Sequence, residues 1–156
     1  MLATVRSGTE ATLASEAGAH EVIQYGGRSH EDVIRKVVAL APNGVHHIVE
    51  VAFAANISAD TEILANGGSI ATYATSDAVP AIPFWLLVFK NVQIDFLGSD
   101  DFPPDAKAEA AQSINAMLAG GWPGFKIDKT LTLTDIAKAH EHLEQRSGAG
   151  RVVLTM

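Results

Sequence analysis

The stretch HHIVEVAFAANISADTEILANGGSIATY, residues 46–73, decides the fold. Its first run, His47-Ile48-Val49-Glu50-Val51, gathers the β-branched Ile48, Val49 and Val51 within five residues, which predicts a buried central strand. Ile57 to Leu64 then predicts a short helix, and Gly68 to Tyr73 the next strand. Two strands joined by a helix make a crossover unit, whose strands run parallel because a hairpin turn cannot connect them.

The same alternation extends in both directions. Upstream, Leu2 to Val5 reads as a strand, with Ser7 and Thr9 as caps for a helix to about Ala17 that Gly18 closes. A strand at Glu21 to Gln24 follows. Ser29 then precedes a helix from about Glu31 to Leu40, whose Val33, Val37 and Leu40 should face the sheet before Pro42-Asn43-Gly44 stops it. Downstream, Pro80 and Pro83 break the chain ahead of an apolar helix, Phe84 to Phe89. The strand Val92 to Leu97, ended by Gly98, is expected at the sheet's far edge. After Pro103-Pro104 come an amphipathic helix (Ala106 to Leu118), a strand (Ile127 to Leu131), a helix (Ile136 to Gln145) and a last strand (Val152 to Thr155). The fold class is α/β, a Rossmann-like parallel sheet with flanking helices and a C-terminal strand-helix-strand return.

Composition sets limits on partners. A length of 156 residues suits one domain spanning 1–156. The net charge of -7, with no run of Lys or Arg, argues against nucleic acid. The chain has no cysteine, so it carries neither a disulfide framework nor a catalytic thiol. No apolar run approaches the roughly 20 residues of a membrane span, and Leu2-Ala3-Thr4-Val5 is unlike a signal sequence, so the placement expected is cytoplasmic. His46-His47 and His140/His142 do not converge at strand or helix spacing, and no metal is expected. Asp100-Asp101 reads as a solvated turn, and Trp85 and Trp122 as packing residues.

A dinucleotide fold normally opens with a glycine fingerprint whose backbone amides and helix N-terminus cradle a pyrophosphate. Here Gly148 and Gly150 form the only G-x-G, and the third glycine is absent because position 153 is Val. Neither a G-x-S-x-G elbow nor a Walker loop occurs, which removes support for hydrolase and triphosphatase readings.

Several short matches in a fixed order nevertheless point to one family. They are Val5-Arg6-Ser7-Gly8-Thr9, Gly18-Ala19-His20-Glu21-Val22-Ile23, Ile48-Val49-Glu50 with Asn56, Leu64 with Gly67-Gly68, Pro83, Ala139-His140-Glu141 and Ser147-Gly148-Ala149-Gly150-Arg151. In this order the chain resembles the medium-chain dehydrogenases/reductases, specifically the zeta-crystallin-like quinone oxidoreductases. The resemblance sets Met1 at the family's second nucleotide-binding strand. It leaves the N-terminal catalytic domain and the first strand, glycine loop and helix without a counterpart, and so implies two unsatisfied sheet edges and an exposed apolar face.

The resemblance implies zinc-independent hydride transfer from NADPH, with NADH second, to a quinone or activated alkene. Arg6 and Ser7 end the first strand where an acidic residue would bind the ribose hydroxyls of NAD, and a base and a hydroxyl suit a 2'-phosphate. Glu10 opposes that charge. Tyr25 matches a tyrosine at the adenosine end. Tyr73, Ala74 and Thr75, with Leu97 and Gly98, follow two strand ends assigned to the nicotinamide side, where Ala74 replaces a common glycine and Val51 a polar residue of some relatives. Arg146 resembles an arginine near the cofactor phosphates, with Arg151 as a second candidate; helix-end charge is the alternative for Arg146. No catalytic residue is assigned. Strand 92–97 corresponds to the family's two-fold pairing strand, which implies a homodimer. The alternatives are a non-catalytic nucleotide-binding or structural module, favoured by the missing glycine loop and Ala74, and, more remotely, a methyltransferase-like Rossmann enzyme.

Overall fold

The computed structural model describes residues 1–122, 125–145 and 150–156. The element order is β1 (Leu2–Val5), α1 (Gly8–Glu16), β2 (Glu21–Gln24), α2 (His30–Leu40), β3 (Val45–Glu50), α3 (Phe53–Ile63), β4 (Leu64–Thr72), α4 (Phe84–Phe89), β5 (Gln93–Phe96), α5 (Pro104–Ala119), β6 (Ile127–Thr132), α6 (Ile136–Glu144) and β7 (Arg151–Thr155). The α/β class with parallel ladders holds: β3 pairs with β4, β4 with β5, and β6 with β7, all parallel. β1 and β2 form a two-stranded sheet separate from the β3-β4-β5 sheet.

The chain divides into two compact units. Residues 4–6 and 23–103 form one, and residues 1–3, 7–22 and 104–156 the other. In the first, Phe53 and Ile57 of α3 pack with Leu64 and Ile70 of β4 and Leu87 of α4, flanked by Val45, Ile48, Val92 and Ile94. The buried positions of α3 are Phe53, Ile57, Asp60 and Thr61, one stripe at helical spacing laid on the sheet. Gly44 turns the chain into β3 at φ +82°, and a Cβ there would lie 2.6 Å from the Ala65 nitrogen, so only glycine fits. In the second unit Ala139 of α6 is buried, whereas α1 and α5 have no buried residue.

Local signals predicted most elements well. Ser7 caps α1 in a capping box with Glu10, and Ser29 caps α2 in another with Asp32. Gly18, at φ +97°, closes α1.

Four expectations need correction. β3 is an edge of its sheet rather than a central strand, and Val49 is 75% exposed, because α3 covers only the face that carries Ile48 and Glu50. α3 begins at Phe53, not Ile57: no side chain caps it, but the Phe53 N–H donates to the Ala74 carbonyl at 3.1 Å and the Ala52 N–H to Glu50. Apolar residues on two helices stay outside the core, with Leu40 of α2 and Ile114, Met117 and Leu118 of α5 all exposed. Trp85 is 66% exposed, stacked on Phe89 with ring centroids 6.0 Å apart and edge-on to Phe84.

Candidate functional site

In an open parallel sheet, ligands gather beyond the carboxyl ends of the strands, where loops diverge and unpaired backbone groups face outward. The register aligns Glu50, Thr72 and Phe96 across β3, β4 and β5, so Val51, Tyr73 and Leu97 leave the sheet side by side. Tyr73, Ala74, Thr75, Leu97 and Gly98 are all exposed there. The ends are held by backbone: the Leu97 N–H donates to the Thr72 carbonyl at 2.8 Å, and the Ala74 carbonyl is committed to Phe53. Beneath them Phe53 meets Phe96 edge-on, with centroids 5.5 Å apart. Thr75 folds over its own turn, accepting from the Asp77 N–H at 3.2 Å and donating to the Asp77 carbonyl at 3.1 Å.

Glu50 organises this edge from below. Its carboxylate accepts the Ala52 N–H and the Asn56 side-chain amide, the latter at 3.1 Å to each oxygen, and so fixes the turn from β3 into α3. Glu50 and Asn56 entered the sequence reading only as a motif; their hydrogen bonds give that spacing its physical sense.

Arg6 and Tyr25 meet at the end of the other sheet. The Tyr25 N–H donates to the Val5 carbonyl at 2.8 Å, and a Cβ on Gly26 would stand 2.1 Å from the Arg6 carbonyl oxygen, so the strand ends approach this closely only because position 26 is glycine. Arg6 is exposed and Tyr25 is partly open to solvent. Ser7 accepts the Glu10 N–H at 3.2 Å, while Glu10 takes the Ser7 N–H at 3.1 Å. The hydroxyl proton of Ser7 is left for donation, and a carboxylate sits at the mouth of α1.

Arg151 opens β7 with its guanidinium 5.0 Å from the Phe125 ring centroid. Arg146 lies outside the described residues, as do Ser147, Gly148 and Ala149. His46 and His47 are exposed on β3, with His47 Nδ1 2.8 Å from Ser69 Oγ, and His142 Nε2 is 2.6 Å from Asp128 Oδ2. Among the described residues no group of three or more His, Cys, Asp or Glu converges on a metal site, and no helix is long and apolar enough to cross a membrane.

A parallel α/β sheet with helices between its strands and open strand ends is of the Rossmann-like class of fold. Comparison narrows it: the family model described as zinc-binding dehydrogenase matches residues 17–154. The chain belongs to that family, as a part corresponding to the cofactor-binding portion of the medium-chain dehydrogenases/reductases. Human quinone oxidoreductase is 28% identical over 148 residues, which is 92% of this chain and 43% of that protein. A solved quinone oxidoreductase from Pseudomonas syringae is 25% identical with a TM-score of 0.78, covering 99% of this chain and 48% of its own. A mycobacterial protein solved with NADPH superposes at a TM-score of 0.81 and 23% identity, over 99% of this chain and 48% of that one. The chain thus spans less than half the length of these relatives.

Proposed function

We propose that this chain is the cofactor-binding part of an NADPH-dependent reductase of quinones or activated alkenes that works without zinc. The observation that carries the cofactor choice is the pairing of exposed Arg6 with a Ser7 hydroxyl at the end of β1, where a carboxylate would instead select NAD. Bound NADPH would supply the hydride. Arg6 and Ser7 would hold the 2'-phosphate, Tyr25 would flank the adenosine, and the exposed backbone of Tyr73 to Thr75 and of Leu97 to Gly98 would line the nicotinamide side. Glu10 would weaken phosphate binding. Arg151 is a secondary candidate. β5 is the edge of its sheet, which suits pairing with a second copy in a homodimer, as in the resemblance.

A non-catalytic nucleotide-binding or structural module is the second reading, favoured by Ala74 at a position where the resemblance expects a glycine. Calorimetric titration with NADPH and NADH, on a preparation whose oligomeric state is measured, separates the two. The reductase reading expects NADPH to bind more tightly than NADH, and Arg6→Ala to weaken NADPH by about tenfold or more while sparing NADH. A folded protein that binds neither nucleotide supports the module instead.

A further inference from the structure

Two carboxyl groups lie buried together under the carboxyl end of β3. Asp60 of α3 is 6% exposed and Glu50 is also 6% exposed, and Asp60 lies one helical turn beyond Asn56, whose amide meets both Glu50 oxygens. Two carboxylates buried close together repel, and neither can donate to the other unless one of them holds a proton. The surroundings provide no other relief. Asp60 Oδ2 has no partner, nor has Oγ1 of Thr72, which is 3% exposed on β4 in register with Glu50. Glu50 already accepts from Ala52 and Asn56.

Among the described residues, the cations on the elements around the pair are exposed or engaged elsewhere. On α2, which packs on α3, Val37 is buried and Val33 half-buried, while Arg35 and Lys36 are exposed and Arg35 pairs with Asp32. On β3, His46 and His47 are exposed, and β4 has no titratable residue. The Lys90 ammonium donates to the carbonyls of Thr61, Glu62 and Leu64 at the end of α3, and Asp95 of β5 is bonded to Gln93. On α3 itself Glu62 is exposed.

We infer that Asp60 holds a proton beside the Glu50 carboxylate, and that this proton makes the turn from β3 into α3 a pH-sensitive latch. The latch is independent of the reductase reading, because it rests on residues packed inside one unit. Burial first, and then the charge of Glu50 and the hydrogen bond to it, raise the Asp60 pKa from the ordinary 3.8 to about 8. The folded protein therefore holds this proton over a range in which the unfolded chain has lost it. The stability it contributes is complete below the unfolded value and drains away as the pH rises towards the folded one. Above that, two charges lie beneath the sheet, and the Glu50 contacts that hold Ala52 and Asn56 loosen.

Denaturant unfolding of the full chain between pH 6 and pH 9 tests this, with Asp60→Asn as the comparison. Asparagine keeps a hydrogen-bond donor beside Glu50 but does not titrate. The wild-type unfolding constant is expected to rise by more than about tenfold over that range relative to the variant, which cancels the histidines common to both. Parallel profiles in the two proteins overturn the inference. Should the variant not fold, infrared spectroscopy of the wild type decides: a protonated-carboxyl C=O band at pH 6.5 that fades by pH 9 supports the proton on Asp60, and no such band at pH 6.5 refutes it.

Discussion

The β3-α3-β4 crossover and the β6-α6-β7 crossover have the same grammar, parallel strands around one helix, yet they bury very different amounts. In the first, Phe53, Ile57, Leu64 and Ile70 are almost wholly removed from water. In the second, Ala139 is buried, and Ile127, Ile136 and Leu143 remain exposed. The difference lies in the size of the side chains on the helix face that meets the sheet. α3 carries large side chains on successive turns of one stripe, whereas α6 sets Ala139 among Lys138, His140 and Glu141. A crossover pattern specifies elements and their direction; the size of the side chains on the helix stripe decides how much stability follows.

The largest expected effect follows directly. Phe53→Ala should cost about 3–5 kcal/mol, through lost transfer energy and the cavity left under Ile70 and Phe96. The two tryptophans give one probe to each unit, Trp85 in residues 23–103 and Trp122 in residues 104–156. In a Trp122→Phe background, Trp85 fluorescence should follow the full loss; in a Trp85→Phe background, Trp122 should move less. Identical shifts from both probes would break the comparison, since the units would then unfold as one.

How much of this was legible depended on whether the deciding contact was local. Capping at Ser7 and Ser29 involves residues three apart, so the starts of α1 and α2 could be read from sequence. α3 could not be read in this way. Its first amides are held by Glu50 and by the Ala74 carbonyl from the far end of β4, partners that become neighbours only after the sheet forms. The run at β3 suggested burial on both faces because apolar identity does not reveal which face receives a helix. For the site, the strand ends at Tyr73 and Leu97 were legible as carboxyl termini of parallel strands. Asp60 was not, although a signal existed: an acidic residue falls on the Phe53–Ile57–Thr61 stripe, where an apolar side chain would be usual.

A smaller effect sharpens the account of α3. Lys90 Nζ donates to the carbonyls of Thr61 at 2.5 Å, Glu62 at 3.1 Å and Leu64 at 2.7 Å, satisfying helix-end acceptors and placing positive charge at the negative pole of the dipole. Lys90→Met keeps the stem and removes the donors. It should cost about 1.5 kcal/mol, at the low end for charged hydrogen bonds because the group is partly open to solvent. Thermal unfolding monitored at Trp85 measures it, and an unchanged midpoint would mean that water serves those carbonyls equally well.

The smallest effect is the most informative about the second region. Ile114 of α5 is 50% exposed, with Met117 and Leu118 similarly open, so Ile114→Ala should change stability by less than about 0.5 kcal/mol. Truncation at a half-exposed position removes little buried area, and alanine is the better helix former, which offsets part of that loss. Denaturant unfolding followed at Trp122 supplies the number. A cost above about 2 kcal/mol lies in the range of core truncations and would require the apolar side of α5 to be covered in the folded protein. The contrast between the two crossovers would then reflect what lies against each helix, not the residues each helix carries.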